Sequence, residues 1–156
     1  FGASTDWTNA RAAQERVGRK LENTAMVCAI DTGDEYDIHP HDKIPIGKRL
    51  AAAADAIGKK TFPQVGSVGF DGNRATAQFD TPNKIECRGS CRGFDILANG
   101  KWRAAKAEFG GGKVKIESEN GVRIDGVRYL YKNWAKPDAC LFDQNGYPVP
   151  PFEILR

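Results

Sequence analysis

The chain has 156 residues, 40% of them hydrophobic and 28% charged, which is enough for a buried core in one domain or two small ones. Its net charge of +3 is small and its basic residues are spread along the chain, so charge gives no support to nucleic-acid binding. No apolar run approaches the ~18 residues of a membrane span. The chain opens at Phe1 without a basic leader or an apolar h-region, the form expected of a processed product or a fragment.

In chain order, Ser4 or Thr5 is placed to cap a helix that opens at Asp6. Trp7, Ala10, Ala13, Val17 and Leu21 recur at spacings of three and four, which predicts an amphipathic helix covering a sheet and ending near Glu22-Asn23. Thr24 to Asp31 is an apolar run of strand length, and strands apolar on both faces belong to buried parallel sheets. One such strand cannot make a sheet, so this region reads as part of an α/β domain. After the loop that follows, Ile44, Ile46, Leu50, Ala53, Ala54 and Ile57 trace a second helical face, with Pro45 in its first turn and Gly58 as terminator.

From Phe62 the period becomes alternating. Val65 to Phe70 and Arg74 to Phe79 read as a hairpin. Phe94–Leu97, Trp102–Phe109, Lys113–Glu117, Val127–Tyr131 and Ala139–Phe142 read as further short strands. Asn99-Gly100, Asn120-Gly121 and Asn145-Gly146 are hairpin signals, and the spacing suggests a β-sandwich. The domain boundary falls near Lys59–Gln64.

Four cysteines are too few for a disulfide-dense scaffold. Cys28, inside the apolar run, reads as a buried thiol. Cys87 and Cys91 are the first choice for a disulfide, with Cys140 as a competitor. A lone Cys-x-x-x-Cys pair without a nearby histidine is a poor zinc signal.

Both histidines and five acidic residues lie between Asp31 and Asp42. Three readings compete for this loop. His39 is a general base, steadied by Asp37 or Asp34. Alternatively, His39 and His41 join carboxylates around a metal, a reading ranked lower because helical i, i+4 spacing is absent. The third reading, which spacing alone favours, is a solvated acidic loop with His41 a surface residue. Ser4, Ser67, Ser90 and Ser118 do not sit in a nucleophile elbow. A catalytic His39 therefore needs a serine from outside this chain.

The run Asp31-Thr32-Gly33, then Asp37-Ile38-His39-Pro40, with Gly47-Lys48-Arg49-Leu50-Ala51 following, resembles the C-terminal end of the catalytic domain of sialate O-acetylesterases. These are SGNH (GDSL-like) serine hydrolases, and related members deacetylate plant polysaccharides. Upstream, Trp7, Arg11, Ala13-Gln14 and Asn23-Thr24-Ala25-Met26-Val27 look like the family's last helix and strand. Downstream, Gly93-Phe94, Trp102, Ala105, Val127-Arg128-Tyr129 and Leu141-Phe142 look like its C-terminal β-domain, as does the stretch Asn145-Gly146-Tyr147-Pro148-Val149-Pro150-Pro151-Phe152.

The resemblance implies an α/β segment over residues 1–62, the helix-strand-loop-helix end of an SGNH three-layer domain, followed by an all-β sandwich-like domain over residues 63–156. It implies a carbohydrate acetylesterase that needs no cofactor or metal and is secreted, periplasmic or lysosomal. The triad histidine falls on His39. The family's acid, three residues earlier, falls on Tyr36, which leaves Asp37 (preferred), Asp34 or an acid-free dyad. The implied partners are the N-terminal portion of the same catalytic domain, which carries the serine and the oxyanion hole, and an O-acetylated carbohydrate. The alternative is a non-catalytic carbohydrate-binding β-sandwich. Trp102, Tyr129, Tyr131 and Trp134 are the candidates for a sugar platform, although alternation favours core packing for most of them.

Overall fold

Alternation of apolar and polar residues from Gln64 onward produces ten short strands, all paired antiparallel. In the computed structural model, which describes residues 6–37, 39, 41–59 and 62–156 and only the backbone of Arg19 and Asn120, these are β1 (Gln64–Asp71), β2 (Arg74–Asp80), β3 (Ile85–Cys87), β4 (Phe94–Ala98), β5 (Lys101–Ala104), β6 (Lys106–Gly110), β7 (Lys113–Glu117), β8 (Gly126–Tyr129), β9 (Leu141–Asp143) and β10 (Phe152–Leu155). One sheet has the order β1-β2-β7-β6, a second β10-β8-β4-β5, and β3 pairs with β9. Val65, Ala77, Val114 and Ile116 of the first sheet share one core with Phe94, Ile96, Val127, Tyr129 and Phe152 of the second. This is a sandwich-like arrangement, with each inner face supplied by every second residue.

Two hairpins follow from turn chemistry. Asn99 and Gly100 both adopt positive φ, 50° and 70°, and close the β4–β5 hairpin as a two-residue primed turn. Gly111 and Gly112 do the same between β6 and β7. Asn120-Gly121 does not form a hairpin. It lies in a 3-10 turn, Glu119–Gly121, on the crossover from β7 in one sheet to β8 in the other. The stretch expected as one strand, Trp102–Phe109, is divided at Ala105, whose N–H donates to Phe94 O at 3.0 Å. β5 and β6 thereby fall in different sheets, and the chain turns a corner of the sandwich there. β3 and β10 are additional to the strands expected.

Two polar groups brace the interior. The Tyr129 hydroxyl, in a fully buried residue, accepts the backbone N–H groups of Cys140 and Leu141 at 3.1 and 3.2 Å. The Asp143 carboxylate, also fully buried, accepts the N–H groups of Asn145 and Tyr147, each at 2.9 Å, and Nδ2 of Asn83 at 3.2 Å. It thus folds the Asn145-Gly146 turn around itself.

The first sixty residues differ from expectation in an informative way. Helix α1 (Trp7–Lys20) is capped by Asp6, whose side chain accepts the Thr8 N–H; Asp6, expected as the first helical residue, thus takes the cap position, and the expected caps Ser4 and Thr5 lie outside the described residues. Its packed face is Thr8, Arg11, Ala12 and Glu15, while Trp7, Ala10, Ala13 and Val17, the apolar stripe, are exposed, as is Leu21 just beyond the helix. Polar bonds dock it: the Trp7 N–H donates to Asn133 Oδ1 at 3.0 Å, and the Arg11 guanidinium donates to the carbonyls of Lys132 and Asn133. The helix therefore does not lay its apolar face on a sheet of this chain.

Thr24–Asp31 does not form the parallel strand either. Its backbone joins none of the sheets, and among the described residues no strand pairs with it. Helix α2 (Ile44–Asp55) begins with Pro45 in its first turn. It buries Arg49 and Ala53 with Ile46 partly covered, whereas Ile44 and Leu50 are exposed, as is Ile57 beyond its end. A buried arginine thus occupies the face where the apolar pattern pointed to leucine.

Replacing Asp143 by Ala removes the buried acceptor of three hydrogen bonds, each worth about 1.5–3 kcal/mol when one partner is charged. Urea unfolding is expected to show a loss of about 3 kcal/mol or more for Asp143→Ala, with an unchanged m-value. A loss below about 1 kcal/mol would contradict this bracing role.

Candidate functional site

The acidic loop is held at its start by a buried charge pair. Arg49 is 5% exposed. Its Nη1 and Nη2 each meet an Asp31 carboxylate oxygen at 2.7 Å, and Nη1 also donates to Cys28 O at 2.7 Å. The planar fork matches both carboxylate oxygens at once, the geometry in which such pairs are strongest. Asp31 is thereby committed to α2. Cys28 packs beside the pair, and burial pushes its thiol up to about 12, which makes it inert at neutral pH.

Beyond Asp31 the loop is a series of three Asx turns. Asp34 Oδ1 accepts the Tyr36 N–H at 2.9 Å, Asp37 Oδ1 the His39 N–H at 2.7 Å, and Asp42 Oδ1 the Ile44 N–H at 3.0 Å. Each aspartate binds the amide two residues on, the local pattern in which Asp substitutes for a backbone turn. His39 and Asp37 are both exposed. The structure brings the Asp37 carboxylate to the backbone of His39; among the described residues no carboxylate hydrogen-bonds the His39 ring. Ile38 and Pro40 of the Asp-Ile-His-Pro element lie outside the described residues.

Among the described residues, the loop's histidines and carboxylates do not gather into a set of three metal-ligating atoms. His41 instead lines a polar cleft of about 280 Å3 with Asp31, Asp34, Asp42 and Lys136. Lys136, from the loop before β9, donates to Gly33 O at 2.9 Å, so the β-domain touches the acidic loop directly.

Among the described residues, no serine hydroxyl hydrogen-bonds a histidine. Ser118 is buried and its hydroxyl donates to Val122 O. Ser90 accepts from Arg92 Nη1 at 3.1 Å, Ser67 is exposed on β1, and Ser4 lies outside the described residues. Of the four aromatic candidates, Tyr129 is core. Trp102 and Tyr131 both flank the Arg128 guanidinium, at 4.5 and 5.5 Å from its centre. Trp134 lines a cleft with Met26, Cys28 and Pro150.

All four cysteines are free thiols, so the expected Cys87–Cys91 disulfide is not formed. Cys87, Cys91 and Cys140 nevertheless converge, their Sγ atoms within 4.8 Å of one another. Contact with the Cys91 thiol is the main cause that holds Cys140 down to about 6, and the same contact pushes Cys91 up.

This geometry can be set beside known proteins. No protein-family model matches the sequence, and comparison with curated proteins finds no match. A solved structure does match. The chain is similar to part of a carbohydrate acetylesterase. That enzyme, from Xanthomonas citri, superposes with a TM-score of 0.86 at 29% sequence identity over 95% of this chain. The match covers 36% of the acetylesterase, so the present chain spans about a third of its length. The likeness supports a relationship to carbohydrate esterases, and the β-rich part agrees with the sandwich-like domain expected from the sequence.

Neither spacing nor the family resemblance singles out Arg49 or its pairing with Asp31. The signal was present: an arginine interrupts the apolar positions Ile46 and Ala53 on one helical face, and a lone charge on such a face calls for a buried counter-ion. Arg49→Met leaves Asp31 unpaired and is expected to cost about 3 kcal/mol, the low end for a broken buried pair, because Asp31 keeps a fifth of its side chain in water. Thermal or urea unfolding measures it. The double variant Asp31→Asn/Arg49→Met should lose less than Arg49→Met alone; an equal or greater loss would contradict a pairwise interaction.

Proposed function

We propose that this chain is the C-terminal part of a serine-type carbohydrate O-acetylesterase of the SGNH class, and that it supplies the general base, His39, to an active site completed by the N-terminal portion of the same catalytic domain. The observation that carries the reading is the superposition on the Xanthomonas citri carbohydrate acetylesterase along 95% of the chain. The outward apolar faces of α1 and α2 support the composite site. Trp7, Val17, Leu21, Ile44, Leu50 and Ile57 are exposed, an arrangement that suits helices packing on the rest of a three-layer domain. The same N-terminal portion would pair the Thr24–Asp31 run as a strand, and in this reading the catalytic segment is residues 1–62 and the β-domain residues 63–156.

In the proposed reaction a serine of the N-terminal portion attacks the acetyl carbonyl while His39 takes its proton, and His39 then protonates the departing sugar hydroxyl. Oxyanion donors come from the same absent portion. Asp37 is the carboxylate that steadies His39. It holds the His39 amide, so it sets where the imidazole is presented.

Two measurements on the intact enzyme test this. His39→Ala is expected to lower kcat for an acetyl ester at least about a hundredfold without changing the melting profile; retained turnover would refute the assignment. Asp37→Asn keeps an acceptor for the His39 amide, so it should retain more activity than Asp37→Ala. Equal collapse of both would instead make the charge at Asp37 indispensable to the imidazole. The isolated chain, with both helical faces bare, is expected to bind a hydrophobic dye and to lose that binding when the N-terminal portion is added. A dye-silent, cooperatively melting chain would count against the composite domain.

A further inference from the structure

Cys87 ends β3, Cys91 lies in the loop after it, and Cys140 precedes β9, the strand that pairs with β3. The three meet because the ladder sets Cys87 opposite Leu141, the neighbour of Cys140, and the Arg88 N–H donates to Cys140 O at 2.7 Å. The loop then returns Cys91 to the same point. No two of the sulfurs are joined.

We propose that Cys87, Cys91 and Cys140 form a binding site for a thiophilic closed-shell cation, Zn2+ or Cu+, which cross-links the β3–β9 pair to the loop before β4. The class follows from the donors. Three sulfurs without a histidine or carboxylate among them select soft or borderline cations over Mg2+ or Ca2+. The spacing suits it as well. Around a cation at the ~2.3 Å of a zinc–thiolate bond, three sulfurs stand about 3.8 Å apart, so closing the cluster from within 4.8 Å takes a shift of about 1 Å.

The surroundings are those of a ligating sulfur. The Arg92 N–H points at Cys140 Sγ from 3.4 Å. The Tyr129 hydroxyl lies 3.8 Å from the same sulfur, with the Cys140 and Leu141 amides already donating to its oxygen. Its own proton is therefore available to Cys140. Such outer donors orient metal-bound thiolates and temper their charge. β3 and β9 have three residues each, a pairing short enough to profit from a cross-link. The fourth position is left for water in a zinc site and is not needed by trigonal Cu+. Binding to three thiols releases their protons to solvent, with no change of oxidation state.

The test uses the intact protein, prepared without chelators and reduced by a phosphine under argon. Titration with Co2+ should give an intense thiolate-to-metal band in the near ultraviolet at one equivalent, displaced by Zn2+. A parallel titration with Cu+ distinguishes the two cations by which is retained against a competing chelator. Cys87→Ser and Cys91→Ser, each shown to be folded by circular dichroism, should lose the band, whereas Cys28→Ser should keep it. Two outcomes overturn the proposal. One is the absence of a thiolate band in folded, fully reduced protein. The other is native protein that is metal-free with two of the three cluster thiols blocked and a mass 2 Da below the reduced form, which makes the cluster a disulfide with a spare thiol.

Discussion

The ion pair of Asp31 with Arg49 is the constraint on which the first sixty residues depend. An apolar run without a ladder has no periodic set of hydrogen bonds to fix it. Arg49 supplies the substitute: one guanidinium nitrogen takes the Cys28 carbonyl from the run, and the fork takes both oxygens of the aspartate that ends it. Burying a guanidinium is costly, and only a bidentate partner with further hydrogen bonds offsets that cost. The helix, the extended run and the loop are thereby joined at a single point. Everything that follows in the loop takes its direction from there.

That economy contrasts with the sandwich. There the apolar faces of two sheets close on each other, Phe94, Tyr129 and Phe152 stack with ring centroids 4.7 to 6.4 Å apart, and the buried polar groups are satisfied. Helix α1 instead meets the β-domain through the Trp7 N–H and the Arg11 guanidinium, and Lys136 of the β-domain reaches the acidic loop, while the larger apolar side chains of both helices face outward. Each of those side chains would contribute about 1.5–3 kcal/mol if fully covered. In the proposed composite domain this bare apolar side is the one the N-terminal portion covers.

Most of the sandwich was legible because its signals are local. The β1–β2 hairpin and the Asn99-Gly100 turn follow from alternation and from residues that accept positive φ. Ala105 shows the limit: nothing in Trp102–Phe109 marks the change of sheet, since alternation continues through it and only the packing of two layers requires the corner. In the N-terminal part the helices were legible as helices, but their orientation was not. Amphipathicity identifies the face that wants burial, and it cannot say whether the covering surface belongs to the same chain. Arg49 and the cysteine cluster were hidden for another reason. Asp31 is 18 residues from Arg49 and Cys140 is 49 from Cys91, so both contacts are properties of the fold.

The acidic loop carries a further distinction, between what a turn needs and what this loop contains. An Asx turn requires an acceptor two residues before an amide, and asparagine provides one as well as aspartate does. All three turns here use aspartate, and Glu35 adds another carboxylate that is exposed beside them. The negative charge therefore exceeds the conformational requirement. A loop that only had to bend would be cheaper with neutral acceptors, since like charges close together repel. In the proposed reaction the surplus has a use. A histidine that takes a proton from serine becomes a cation, and fixed negative charge on a braced backbone lowers the energy of that state without moving when it forms. The backbone bonds and the charge are then two properties of the same carboxylates, one serving the shape of the loop and the other its chemistry.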